Sequence, residues 1–105
     1  MKSDILYSAA RLLYLYGEIG YYNRLLLKFD DSLAMFDKAQ LYSKGKSVSS
    51  YNITLSKVIV NIYLKNYHVA LLDCQDLLKD DLKGFRYEKS VTNFYSAIAY
   101  FGIKT

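Results

Sequence analysis

An all-α fold of stacked antiparallel helical hairpins is predicted by three observations. Apolar residues recur at helical spacing along most of the chain, and strand alternation is nowhere sustained. Proline is absent and glycine occurs only five times, so few positions force the backbone out of regular structure. The stretch Asn23-Arg24-Leu25-Leu26-Leu27-Lys28-Phe29-Asp30-Asp31-Ser32-Leu33 aligns without a gap with Asn61-Ile62-Tyr63-Leu64-Lys65-Asn66-Tyr67-His68-Val69-Ala70-Leu71, a period of 38 residues. A helical unit that cannot cover its own apolar face is repeated so that neighbours cover one another.

Five helices follow in order. Positions 5, 9, 12, 13, 16, 19, 20, 23, 26 and 27 lie at helical spacing and predict a first helix near residues 4–27, with Ser3 as its cap. Asp30-Asp31-Ser32 supplies an N-cap and early acidic charge for a second helix. Its stripe is Leu33, Phe36, Ala39 and Gln40, and it ends before Lys44-Gly45-Lys46. Ser47, Ser49 or Ser50 caps a third helix with Leu55, Val58, Ile59, Ile62 and Tyr63 inward and Thr54, Lys57, Asn61 and Lys65 on the polar side. Asn66 caps a fourth, in which Tyr67, Ala70, Leu71, Cys74, Leu77 and Leu78 keep i, i+3, i+4, i+7 spacing. After the polar turn at 79–84, Val91, Phe94, Tyr95, Ile98 and Gly102 mark the last helix. The short connections make sequential helices antiparallel neighbours. The expected organisation is a single domain with repeat 1 at about 4–44, repeat 2 at about 47–79 and a terminal helix at about 85–103 that covers repeat 2.

Composition narrows the function. A chain of 105 residues that is 52% hydrophobic makes one folded domain and is too apolar for disorder. The net charge of +4 includes only three arginines, and the basic residues are scattered, which argues against a nucleic-acid face in these residues. Arg11, Glu18 and Arg24 interrupt the longest apolar stretch, too costly for a membrane span, and no signal peptide is evident. One cysteine excludes an internal disulfide and suits a reducing, cytosolic compartment; Cys74 reads as a buried small hydrophobe. His68 has no ligand partner at metal spacing, Asp30-Asp31 and Asp80-Asp81 fit helix boundaries, and no phosphate-binding glycine loop is present. No catalytic residue, metal site or cofactor is expected.

In the first repeat Tyr16-x2-Ile19-Gly20 and Ser32-x3-Phe36-x2-Ala39 resemble the aromatic, leucine-glycine and alanine-phenylalanine-alanine positions of tetratricopeptide repeats. The second keeps Tyr67-x2-Ala70 but has Cys74 and Leu77 where phenylalanine and alanine belong. Glu18, Tyr22, Leu26, Phe29 and Asp30, followed by Ser32-Leu33-Ala34-Met35-Phe36, are similar to a hairpin in the C-terminal region of MutR/Rgg-type transcriptional regulators. Phe85–Phe101 resembles that family's tyrosine-glutamate segment and the aromatic, small-residue helix after it. Asn23-Arg24 departs from the glycine-asparagine usual there, and the family's DNA-binding helix-turn-helix has no counterpart in this chain. The resemblance implies a right-handed superhelical stack of hairpins that takes a short signalling peptide on its concave face and dimerises through the repeats. DNA would be reached only through a separate helix-turn-helix domain. A tetratricopeptide-like scaffold for other proteins, without a signalling ligand, is the alternative.

Candidate peptide contacts follow from side-chain chemistry. Asn23 and Asn61 recur one period apart, and an asparagine amide both donates to and accepts from an extended backbone. Arg24, Lys57 and Lys65 suit a carboxylate, with Lys57 and Asn61 one helical turn apart; Tyr21 and Tyr63 suit flat apolar walls. The same polar residues also fit an ordinary solvated helix face, with Asn23 satisfying backbone near the turn. Tyr7, Tyr14 and Tyr21 recur every seven residues and form either a dimer seam or a stripe packed on a neighbouring helix.

Overall fold

The computed structural model describes residues 2–43, 45, 47–79 and 86–105, with side-chain detail from Ser8 onward. The fold is all-α: among the described residues there are five helices and no strand, in the order α1 (Lys2–Leu25), α2 (Phe29–Leu41), α3 (Val48–Tyr63), α4 (Tyr67–Leu78) and α5 (Arg86–Lys104). Two compact units, Met1–Ile53 and Thr54–Thr105, divide within α3.

The 38-residue period is a repeated backbone conformation as well as a repeated sequence. α1 ends when Leu27 enters the left-handed region at φ 62°, and α3 ends when Lys65 does so at φ 63°. In the first turn the Leu27 amide donates to the Arg24 carbonyl (2.9 Å) and the Lys28 amide to the Asn23 carbonyl (2.8 Å). In the second, Lys65 donates to Ile62 (3.0 Å) and Asn66 to Asn61 (2.8 Å), each partner displaced by one period. This is the Schellman closure, which satisfies the last carbonyls of a helix and aims the chain back along it. The next residue starts the following helix with matching backbone angles, φ −90° and ψ 73° at Lys28 against φ −84° and ψ 63° at Asn66.

Two expectations about caps change. Asp30-Asp31-Ser32 does not cap α2: the cap position is Lys28, without a side-chain bond, and Asp30 and Asp31 lie inside the first turn. Their charge still favours the helix start, and Lys38 the end, through the peptide dipoles. Asn66 stands at the cap position of α4 but makes no capping bond; its Nδ2 donates to Asn61 Oδ1 at 3.3 Å. Of the three serines considered for α3, Ser47 caps it, its Oγ accepting from the Ser50 amide at 3.2 Å. The Ser3 side chain, Asp80, Asp81 and Phe85 lie outside what is described.

In the first unit α1 and α2 form an antiparallel hairpin around Phe36. A Cβ placed on Gly20 would stand 2.8 Å from the buried Phe36 ring, so glycine is what lets the two helices approach here. Ser32, buried across the hairpin, donates from Oγ to the Gly20 carbonyl at 2.6 Å. Further along, Tyr16 stacks on Tyr42 with ring centroids 6.0 Å apart, and the Lys38 ammonium lies 5.7 Å above Tyr16. Leu26 and Leu27 do not extend the inner face of α1: the helix stops at Leu25 and both are exposed in the turn. Ile19, expected inward, is also exposed.

In the second unit the core is Val58, Ala70, Cys74 and Ala99, with Ile62, Tyr67, Leu71 and Tyr95 packed against it. The terminal helix thus covers α4, as the period implies, and a Cβ on Gly102 would fall 2.6 Å from the Tyr67 ring. α4 buries Ala70, Cys74 and Leu77 and half-buries Tyr67, Leu71 and Leu78, the stripe read from its sequence. α5 differs from expectation: Phe94 is 62% exposed, while Thr92 is buried with its Oγ1 donating to the Glu88 carbonyl at 2.7 Å. α3 buries Tyr51, Ile53, Leu55, Val58 and Val60, and Asn61 with them, so its expected polar side is partly interior.

The repeated turn carries a testable cost. A non-glycine residue in the left-handed region is strained by about 1–2 kcal/mol. Glycine removes that strain but adds unfolded-state entropy. Leu27→Gly and Lys65→Gly are each expected to raise the unfolding free energy by about 0.5–1 kcal/mol in urea melts.

Candidate functional site

The candidate residues fall into one group in each unit. In the first, Tyr21, Asn23 and Arg24 occupy the last turn of α1, where the Arg24 guanidinium lies 5.2 Å from the Tyr21 ring centroid. Tyr21 meets Tyr22 edge-on at 5.6 Å, and both rings are exposed. Such an arrangement holds a cation over an aromatic face while leaving the other face to water or a ligand. Asn23 is half-buried, and its carbonyl closes the turn through Lys28.

In the second unit the equivalent asparagine is interior. Asn61 is 6% exposed, and its side-chain oxygen takes the Asn66 amide at 3.3 Å. The recurrence of asparagine one period apart therefore has a structural origin. It sits four residues before the left-handed position, where its carbonyl closes the turn, and in the second unit its side chain reaches the residue after that position. Lys65 is exposed within the turn and off the α3 face that was expected to carry it. Tyr63, expected inward, is exposed at the end of α3.

Lys57 is half-buried and electrostatically engaged with Asp73 of α4. Burial pushes the Asp73 carboxyl above its usual range, Lys57 pulls it back and Asp76 raises it further. A carboxyl whose folded pKa is raised contributes stability in full below its unfolded pKa, and that contribution is lost as pH rises through the folded value. Asp73→Asn is therefore expected to stabilise the protein at neutral pH and to change it little below about pH 4, as thermal melts across that range would read. Sequence pattern did not single out Asp73; its spacing of one residue before the buried Cys74 was the available signal.

The tyrosine stripe is partly described. Tyr14 is 70% exposed and Tyr21 is exposed, whereas the Tyr7 side chain lies outside the described residues. A second stripe went unnoticed in the sequence: Tyr87, Phe94 and Phe101 on α5 recur every seven residues and are all exposed. The seven-residue criterion that found the first stripe finds the second.

The chemistry of the remaining candidates is plain. Cys74 is buried, and burial with the nearby Asp73 charge pushes its thiol up to about 11. Only the thiolate is an effective nucleophile. Cys74 is expected to react with a thiol reagent at pH 8 only through unfolding, the rate rising steeply with added urea. His68 is exposed near the start of α4. Among the described residues no group of three His, Cys, Asp or Glu side chains is placed to hold a metal ion, and no helix is long and apolar enough to cross a membrane. Comparison with protein-family models, curated proteins and solved structures found no match.

Proposed function

We propose that the chain is a helical-repeat binding domain that takes up a short peptide and, following its resemblance to MutR/Rgg-type regulators, serves as the ligand-sensing and dimerisation part of a bacterial transcriptional regulator. DNA binding would belong to a separate helix-turn-helix domain. The observation that carries the reading is the same hairpin turn formed twice, 38 residues apart, with equivalent hydrogen bonds. Hairpin repeats of this kind are the units from which concave binding surfaces are stacked. Candidate peptide contacts are assigned within each unit by itself: in the first, the exposed Tyr21 with the half-buried Arg24 and Asn23, and in the second, the exposed Tyr63 and Lys65 with the half-buried Lys57, while Asn61 holds the second turn in place. The exposed Tyr14 and Tyr21 are assigned to a dimer seam with Tyr7. A ligand would act by binding one conformational state better than another.

Calorimetric titration with short amphipathic peptides bearing a free carboxylate tests this. Saturable binding that weakens about tenfold in Arg24→Ala is expected, the loss of one charge-assisted contact. Absence of binding across the panel overturns it. The exposed aromatic stripe on α5 favours a second reading, a scaffold for a folded protein partner. Stable capture of a protein client that survives Arg24→Ala would select that reading.

A further inference from the structure

The turn between α1 and α2 is poorly suited to being a turn. Leu27 sits at φ 62°, a conformation that favours glycine, and its neighbours Asn23 to Phe29 include neither glycine nor proline. Leucine, arginine and lysine are good helix formers. The α2 start at Lys28 gains no side-chain cap. Leu25, Leu26 and Leu27 are 56%, 65% and 71% exposed, three adjacent leucines held in water by the closed hairpin.

From these features we infer that the hairpin opens at Leu27 and exchanges α1 with a second copy of this chain. Residues 2–41 then run as one helix about 60 Å long, and α1 of each copy packs on α2 of the other. The occupant is dictated by the surface that α2 presents. Phe36 needs a glycine opposite it, and Ser32 needs the Gly20 carbonyl, so α1 of another copy satisfies both without new chemistry. Straightening removes the left-handed residue, adds helical hydrogen bonds through the turn and brings the leucine triplets of two chains together near the two-fold axis. Short hinges under strain favour exchange. The second turn is built to stay closed: Lys65 has the same strain, but Asn66, a weaker helix former, is tied to Asn61 at 3.3 Å. This exchange depends on the α1–α2 hairpin alone and not on the peptide-binding reading.

The test refolds the full chain at low and high concentration and cross-links the dimer fraction. In a Cys74→Ala background, Tyr16→Cys and Tyr42→Cys, whose parent rings stack at 6.0 Å, are bridged with a short bis-maleimide. Exchange joins two chains covalently, whereas a side-by-side tyrosine dimer gives cross-links within one chain only. Leu27→Gly is expected to lower the exchanged fraction about tenfold and Lys65→Gly to leave it unchanged. In the unsubstituted chain the Leu26, Leu27 and Lys28 amides already donate in the closed turn, whereas Asp30 and Asp31, in the first turn of α2, gain the Leu26 and Leu27 carbonyls as acceptors when the helix runs through. Amide exchange at Asp30 and Asp31 is therefore expected to slow at least tenfold in the dimer, a readout independent of the cysteine variants. A chain that stays monomeric at high concentration, dimers with intrachain cross-links, or equally fast exchange at Asp30 and Asp31 in monomer and dimer would overturn the proposal.

Discussion

Phe36→Ala is expected to lower the unfolding free energy by about 3–5 kcal/mol, the cost of emptying a fully enclosed aromatic site. The ring is buried, lies against Gly20 closely enough that no Cβ fits, and forms the centre of the first hairpin. Neighbours have little freedom to collapse, because Ser32 and Ala39 on the same face are already fully buried. Gly20→Ala alone is also expected to destabilise, by about 1–2 kcal/mol, since overpacking against a trapped ring outweighs the better helix propensity of alanine. Combined with Phe36→Ala the sign reverses. The new methyl fills part of the cavity, so the double variant should be more stable than Phe36→Ala alone. Urea melts of the four proteins form a double-mutant cycle, and an additive result would mean that the two residues do not touch.

Ala99→Leu is expected to cost about 3 kcal/mol, because three added carbons enter a site closed by Val58, Ala70 and Cys74. The informative comparison is Phe94→Ser on the same helix. Replacing an exposed large aromatic should change stability by less than about 0.5 kcal/mol. A reader of hydropathy alone would expect the opposite order, with the phenylalanine inside and the alanine a spacer. Near-UV circular dichroism during thermal unfolding separates the two outcomes.

These cases show where the sequence was legible. α4 was read nearly residue for residue because its inward positions are all apolar and its outward ones mostly are not. α2 was legible at Phe36 and Ala39, but Ser32, read as part of a cap, is buried and bonded to the Gly20 carbonyl. The end of α1 was not, because Leu26 and Leu27 continue the apolar spacing while the backbone turns beneath them. No glycine marks the left-handed position. Only the alignment with Lys65, in an openly polar stretch, held the information. Asn61 was misplaced and Thr92 passed over because hydropathy treats a hydroxyl or an amide as outward-facing. Each is interior with its polar group bonded locally, Thr92 to the Glu88 carbonyl and Asn61 to Asn66. Of the candidate contact residues, chemistry chose the types and the turn explains two of the positions; the electrostatic influence of Lys57 on Asp73 follows from the packing of α3 on α4.

The duplicated turn is tested most directly by solution NMR of the dilute monomer, reading φ at residues 23–28 and 61–66 from scalar couplings and intraresidue amide-to-Hα Overhauser effects. A positive φ at both Leu27 and Lys65, each flanked by helical chemical shifts, is the expected result. Helical φ through either turn, or a positive φ at one position and not its partner, would contradict the repeat.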